Sequence, residues 1–489
     1  NSSEVISLIL PKNNLFNRNM GLPSSLFNLT SLQTLNLAYN NFGNIFLGPE
    51  ITSLKELRSL DLSGTHLGVH DLSGLTNLRY LALRYIFFIT DVNFLRNLTK
   101  LEYLDLSRYR GARTVTAAPI GSLHSLRFLL LADTYISNLT SLAGLSVLEH
   151  LDLSNSRFDK TWPGFSGTEA LSHMTRLQYL NLGVSSPGPN PISNIIAPIT
   201  GLSQLHTLRL AGVNLSCSLP PTFFSSHSNL VKLDLSFTNL TGTIPDNIHL
   251  AASLSQILLQ GNSLTDHIPP TIGTLRNLTA LNATHNLLNG HLPELSNFTQ
   301  LQQLHLGNNL FYGPIPDLSN LRNLTVLNLA GNFLQGPLPA GLGAVVAAGL
   351  TYLDLSRNLL SGPIPPFALD GRSLMHLVGT HLSLESRQIF KYPPPFFFCL
   401  KKDLSFNDFE GDLQDVGLPY SGMFLSLAFN NFSGSLPLGF QISQPATLLL
   451  GNNRLSFELG LLNPLGAVKV FCPFSQKSKL WQNKICDIL

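Results

Sequence analysis

The chain repeats itself, and that repetition limits what it can fold into more than any other feature. Aligned on Leu-x-x-Leu-x-Leu-x-x-Asn with substitutions, its turns close at Asn13, Asn40, Thr65, Ile86, Tyr109, Thr134, Ser156, Ser185, Val213, Thr238, Asn262, Asn286, Asn309, Asn332, Asn358, Leu382, Asn407, Asn430 and Asn453. These are about 19 turns with a mean period of about 24 residues, a length that holds one short strand and a return segment. Alternate residues of a strand face opposite sides, so Leu230, Leu233 and Leu235 stack inward on Leu254, Ile257 and Leu259 of the next turn. The expectation is a solenoid with a long parallel inner sheet whose strands lie ~4.8 Å apart. The closing Asn carries both a donor and an acceptor, and so can satisfy backbone groups left open where each strand turns away.

Composition agrees with this and removes several functions. Only 12% of the 489 residues are charged against 44% hydrophobic, and the formal net charge is +2. Clustered Lys and Arg are what a nucleic-acid binder needs, so none is expected. A Leu-rich chain with mean hydropathy +0.18 has ample apolar surface to fold. The most apolar stretch, Leu342 to Leu355, is broken by Gly349, Thr351 and Asp354, and falls short of the roughly 20 residues a membrane helix requires. No basic and apolar leader follows Asn1, so a targeting segment is expected to have been removed or left out.

From about Asn214 a second pattern follows the strands. It reads Leu240-Thr-Gly242-Thr-Ile244-Pro245, then Leu264 to Pro269 in weaker form, Leu288-Asn-Gly290-His-Leu292-Pro293 and Phe311-Tyr-Gly313-Pro-Ile315-Pro316. It continues as Leu334-Gln-Gly336-Pro-Leu338-Pro339, Leu360-Ser-Gly362-Pro-Ile364-Pro365 and Phe432-Ser-Gly434-Ser-Leu436-Pro437. Gly opens turn conformations closed to other residues, and Pro fixes φ and removes a donor. With these segments the chain resembles the plant-type extracellular leucine-rich-repeat proteins: receptor-like proteins, receptor-like kinase ectodomains and polygalacturonase-inhibiting proteins. The resemblance implies an α/β solenoid, a right-handed superhelix or horseshoe. Short 3-10 and loop segments would line its convex side, and a second short sheet would run through the half with L-x-G-x-I-P.

The repeat is expected to fill residues 1–463, with 464–489 as a C-terminal cap. Eight consecutive turns from Thr65 to Thr238 lack the Asn, and that half is expected to be less regular. Extra residues around Trp162-Pro163-Gly164 and Ser186 to Pro191 read as convex loops, and Tyr392 to Phe398 as an extended segment burying its Phe side chains. The resemblance also implies a Cys-paired N-terminal cap; the chain opens directly in a strand at Val5 to Leu10, which reads as truncation.

Cys472 and Cys486, 14 residues apart beyond the last strand, read as a disulfide closing the apolar end. Cys217 and Cys399 lie some seven turns apart, roughly 35 Å at ~4.8 Å per turn, and are expected to be free thiols. Glycosylation sequons stand at Asn1, Asn28, Asn97, Asn138, Asn214, Asn239, Asn277, Asn297, Asn323 and Asn431; Asn282 heads another but falls on an inner strand. Sequons and terminal cysteines together point to a secreted chain, in the apoplast or on the outer face of the plasma membrane.

Nothing catalytic is expected, and no metal or cofactor. Gly341-Leu-Gly343-Ala does not complete a nucleotide-binding loop, and Asp61, Asp105, Asp152, Asp234, Asp354 and Asp403 recur at one repeat position as solvated surface residues. The inner face is the candidate site. Tyr80, Tyr103, Phe128, His150 and Tyr179 form one column, with Arg79, Arg84, Tyr85, Glu102, Arg108, Arg127 and Glu149 beside it. Aromatic and Arg residues anchor interfaces, so a peptide, glycan or protein could lie along this strip. A second candidate patch gathers Tyr352, Arg357, His376, His381, Lys401, Phe406, Phe424 and Phe429; the resemblance implies a coreceptor contact in that half. The reading is ligand recognition by a receptor-like ectodomain in defence or developmental signalling. Alternatives are a secreted inhibitor of a cell-wall hydrolase and a structural or ice-associated repeat protein.

Overall fold

The computed structural model describes residues 5–12, 22–43, 45–86, 88–89, 91–109, 115–136, 138–158, 167–184 and 195–363. Beyond these it describes the strands at 374–376, 381–383, 401–403, 410–412, 424–426, 431–433, 447–449 and 469–471. It divides into two compact units, Asn1–Asn262 and Ser263–Leu489.

Among the described residues of the first unit, eleven three-residue strands, from Ser7–Ile9 to Gln256–Leu258, lie side by side in parallel. Pairing is residue for residue, so that Ser7, Thr34, Ser59, Tyr80, Tyr103, Phe128, His150, Tyr179, Thr207, Lys232 and Gln256 share one column. The cause is the x-Leu-x triplet. Its central residue, such as Leu60, Leu81 or Leu104, is wholly buried, while the residue before it stays half-exposed. Return segments are single turns of 3-10 helix, such as Asn93–Asn97, or short α-helices such as Ala117–Gly121. Each buries one to three apolar side chains under the sheet.

The register runs unbroken through the turns that lack Asn, contrary to the expected irregularity. Hydroxyls take over half of the amide's role: Thr65 donates to the Leu62 carbonyl and Thr238 to that of Leu235, at 2.6 and 2.7 Å. Tyr109 donates its phenol to the Ile89 carbonyl at 2.7 Å. Where Asn is present it bridges turns. Asn262 Nδ2 donates to the carbonyls of Leu235 and Leu259, and its Oδ1 accepts from the N–H groups of Thr238 and Leu240.

One residue before that position the chain takes a left-handed conformation in turn after turn. Tyr39, Tyr85, Arg108, Asp133, Asn155 and Phe237 all have φ between 53° and 58°. Gly64, Gly212 and Gly261 hold the same place at φ 64°, 74° and 69°; at Gly64 a side chain would also meet the Tyr39 ring 2.7 Å away.

Among the described residues of the second unit, nine inner strands run from Ala280–Asn282 to Lys469–Phe471. The last pairs with Thr447–Leu449, so strand pairing continues beyond residue 463. A second parallel sheet is built from Ser263–Asp266, Leu287–Gly290, Leu310–Gly313, Phe333–Gly336, Leu359–Pro363 and His381–Ser383. Second-sheet pairing is not confined to the Gly-x-Ile-Pro half: Gly68–Val69 pairs with Phe88–Ile89, and Tyr135–Ile136 with Arg157–Phe158. Buried Val69 and Ile136 give those segments the inward side chain they need without the Gly-x-Ile-Pro pattern.

The turn anchored on Leu382 needs correcting. Its inner strand is Leu374–His376, with Met375 in register with Leu353, while Leu382 stands in the second sheet opposite Gly362. The loops around Trp162 and Ser186, the Tyr392 to Phe398 segment, and Cys399, Cys472 and Cys486 lie outside the described residues.

Candidate functional site

The five aromatic residues of the column stack ring on ring. Tyr80 and Tyr103 lie 4.3 Å apart with planes 12° from parallel, and His150 lies on Tyr179 at 3.9 Å and 2°. Phe128 joins the two pairs, 6.0 Å from Tyr103 and 5.9 Å from His150, with planes tilted by 36° and 33°. Register explains this: identical columns on adjacent parallel strands hold the rings about one aromatic thickness and a little more apart. The ring faces are therefore turned on each other, and the stripe presents edges to solvent.

The stacking also fixes the ionisation of its members. Burial raises the Tyr80 and Tyr103 phenols above their ordinary range, and nearby Asp61 and Asp105 push the same way. Tyr179 is raised by burial and by Asp152. Burial lowers the His150 pKa, with Asp152 opposing, so at neutral pH the stripe is an uncharged aromatic surface.

On one side runs the column just before the strands: Arg58, Arg79, Glu102, Arg127, Glu149. Arg79 pairs with Glu102, and Arg127 makes a two-pronged contact with Glu149 at 2.9 and 2.8 Å. Both pairs are partly exposed, so solvent screens them and they add little to stability. The sequence offers these Arg and Glu residues side by side as candidate anchors; the structure pairs Arg79 and Arg127 each with the next turn's Glu. Arg58, exposed at the head of the column, was missed. Its signal was available, since it precedes Ser59-Leu60-Asp61 as Arg79 precedes Tyr80-Leu81-Ala82.

On the other side lie Asp61, Ala82, Asp105, Leu130, Asp152, Asn181 and Arg209. The aspartates are not merely solvated. Asp61, Asp105 and Asp152 each accept the N–H two residues on, at 3.0, 2.8 and 2.9 Å, and Asn181 does the same for Gly183. They brace the strand ends. Asp105 is buried, and desolvation raises its pKa despite its Ser107 hydrogen bonds and the nearby Arg84 charge.

Arg84, Tyr85 and Arg108 stand at the rim rather than in the stripe, the last two at the left-handed position, and Tyr85 meets His66 edge to face at 6.1 Å. The described members of the second candidate patch are divided between the inner strands and the second sheet. Tyr352, His376, Lys401 and Phe424 lie on inner strands, Arg357 at a left-handed turn, and His381 on the second sheet. Phe406 and Phe429 lie outside the described residues. Of the sequons, Asn28, Asn97, Asn239, Asn277, Asn297 and Asn323 are exposed, and Asn138 and Asn214 half-buried. Asn431 starts a second-sheet strand, and Asn1 lies outside the described residues. Asn282 is half-buried, its Oδ1 held by the N–H and hydroxyl of Thr284.

Apart from the inner face, a mostly aliphatic cavity of about 400 Å³ lies among Ile195, Ile196, Ala197, Thr200, Leu215, Cys217, Ser218 and Pro220. Cys217 is a free, half-buried thiol whose pKa is raised by burial, which suppresses the thiolate.

The family model "Leucine Rich Repeat" matches residues 229–250, 323–345 and 349–368. The chain folds as a leucine-rich-repeat solenoid, and the curated proteins it resembles include plant receptor-like proteins. Receptor-like protein 39 of Arabidopsis thaliana is 28% identical to it over 344 residues, 55% of this chain and 39% of that protein. Receptor-like protein 35 of the same plant is 32% identical over 281 residues, 56% of this chain and 27% of that one. This repeat protein thus spans well under half the length of those curated relatives. The plant peptide hormone receptor RGFR1, solved with RGF2, shares the fold with a TM-score of 0.70 at 24% identity, covering 92% of this chain and 77% of the other. The Arabidopsis receptor kinase HAESA, solved with the peptide hormone IDA and the co-receptor SERK1, gives 0.69 at 25% identity, covering 93% and 87%. No helix among the described residues is long and apolar enough to cross a membrane.

Proposed function

We propose that the chain is the extracellular recognition part of a plant receptor-like protein, and that it binds an extended polypeptide along the inner strands from Tyr80 to Arg209. The observation that carries this is the stacked aromatic column. A sugar ring needs an open aromatic face to lie on, and these faces are spent on one another. Ring edges between a charged column and a column of Asp, Asn and Arg instead suit a chain with alternating side chains and exposed backbone amides. Six strands at ~4.8 Å spacing offer about 24 Å, the reach of roughly seven extended residues. This narrows the peptide, glycan or protein ligand expected from sequence to a polypeptide. The solved complex of HAESA with a peptide hormone and a co-receptor supports the same class of ligand and a coreceptor for the whole protein. The exposed sequons support an extracellular location, and recognition without catalysis agrees with aspartates that are each tied to their own turn.

The test is a binding screen of the secreted chain against extended peptides, wall oligosaccharides and microbial hydrolases, with Tyr80, Tyr103 and Arg127 changed to Ala together. A peptide ligand weakened at least tenfold by the triple change is expected. An oligosaccharide ligand, or a peptide bound equally well by the variant, refutes the assignment.

A further inference from the structure

The second sheet of the second unit carries an apolar stripe that the ligand site does not use. Strands Leu287–Gly290, Leu310–Gly313, Phe333–Gly336 and Leu359–Pro363 each start directly after a ladder Asn. Their second residues, Leu288, Phe311, Leu334 and Leu360, are wholly buried. Their first residues point outward: Leu287, Leu310, Phe333 and Leu359 are 48, 40, 51 and 45% exposed. Tyr312, also 48% exposed, stands opposite Phe333 in the register and extends the stripe.

The repeat supplies its own control. The same position holds Asn41, His66, Asn214 and Asn239 in the first unit, with Tyr135, 42% exposed, standing alone between them, and Ser263 at the start of the second. The fold therefore does not need an apolar residue there, and four consecutive turns that expose one call for another explanation. Contiguous exposed apolar surface on this scale marks an interaction site. We propose that this stripe is a contact surface for a second copy of the chain, paired with it about a two-fold axis.

Charge favours that occupant. The four strands read Leu-Leu-Asn-Gly, Leu-Phe-Tyr-Gly, Phe-Leu-Gln-Gly and Leu-Leu-Ser-Gly-Pro, without one charged residue, so two identical faces meet without repulsion. Nor do they offer a charge pattern that would select a different partner. Spacing favours it too. The side chains recur once per turn, at ~4.8 Å, and an antiparallel copy brings the same interval. Its side chains then interdigitate over all four turns without drifting out of step, as a self-complementary two-fold contact requires. Taking roughly 200 Å² for a large exposed side chain, the five residues offer about 450 Å² per copy. With the polar flank of Asn289, Gln335 and Ser361, two copies reach the ~1,000 Å² that separates a specific contact from a chance one, which corresponds to a weak, concentration-dependent dimer. The exposed sequons of this unit, Asn277, Asn297 and Asn323, all stand in loops leading into inner strands, so glycans there leave the stripe bare.

Sedimentation of the full chain from about 1 to 200 μM tests the proposal. The expected result is a rise in weight-average mass toward dimer with concentration. Leu310→Glu with Phe333→Glu is expected to abolish the rise while leaving the circular dichroism spectrum and melting temperature unchanged. His66→Glu, at the same repeat position in the first unit, is expected to leave it intact. A wild-type chain that stays monomeric throughout, or a double variant that associates as strongly as wild type, overturns the proposal. So does a wild-type monomer whose stripe is occupied by a different protein.

Discussion

Replacing Asn309 by Leu isolates the contribution of the buried amide ladder. The side chain makes three bonds of good length: Nδ2 to the carbonyls of Ala283 at 2.8 Å and Leu306 at 3.1 Å, and Oδ1 from the N–H of Leu288 at 3.1 Å. Asn309 is buried, so the freed groups cannot turn to water. Leu fills the volume but makes none of these bonds. An orphaned buried donor costs ~1–3 kcal/mol and each lost bond ~1, partly offset by the added apolar contact, which places the loss at about 2–4 kcal/mol. Asn309→Thr is the calibrating change, because Thr65 and Thr238 show that a hydroxyl here keeps the bond to the carbonyl three residues back. It should lose about half as much. Urea unfolding gives the two values, and amide exchange gives their location. In a solenoid each turn rests only on its neighbours, so protection should fall around Leu288 and Asn309 and persist several turns away. Equal losses for Leu and Thr, or a Leu variant within ~0.5 kcal/mol of wild type, would show that the ladder is not carried by these bonds.

Three further changes probe the inner face and its rim. Asp105 has a raised pKa from desolvation, so its contribution to stability is fully present below the unfolded carboxylate pKa and is lost as pH rises through the folded one. Asp105→Asn keeps the acceptor for Ser107, as Asn181 does for Gly183, and should melt higher than wild type near neutrality. The difference should shrink as the pH falls through the acidic range; a gain independent of pH would remove desolvation as its cause. Gly261→Ala puts a methyl group against the exposed Phe237 ring at φ 69°; the ring can swing aside but the backbone cannot, so a loss of ~1–2 kcal/mol in denaturant unfolding is expected. Glu149→Gln removes the charge that holds Arg127, and should change stability by less than ~1 kcal/mol while altering the affinity and salt dependence of the bound peptide. Unchanged ligand binding in that variant would take the ion-pair column out of the site.

The inner sheet was legible because two periods, one of about 24 residues and one of 2, coincide in the x-Leu-x triplet. Together they place Tyr80, Tyr103, Phe128, His150 and Tyr179 in one column before any coordinate is known. The same pattern misleads where two leucine frames overlap, as in Leu374-Met-His-Leu377 followed by His381-Leu-Ser-Leu384, and there the alignment fell two residues out of step. Pairing between columns was harder to see. Arg79 and Glu102 lie 23 residues apart, and only the exact register brings their side chains together. The exposed stripe at Leu287, Leu310, Phe333 and Leu359 was missed for a third reason. Adjacent leucines in Asn-Leu-Leu look alike as letters, and which of the two points outward is decided by the strand direction that follows the turn.

The two ion pairs of the inner face have the same sense. Arg79 precedes Glu102 and Arg127 precedes Glu149, each cation on the earlier turn and its anion on the next. A row of pairs aligned in this way has a head and a tail, as the polypeptide laid against it does. If a peptide lies there as proposed, reversing it end to end would set its charges against like charges at all four turns from Arg79 to Glu149, so the row would select direction as well as composition.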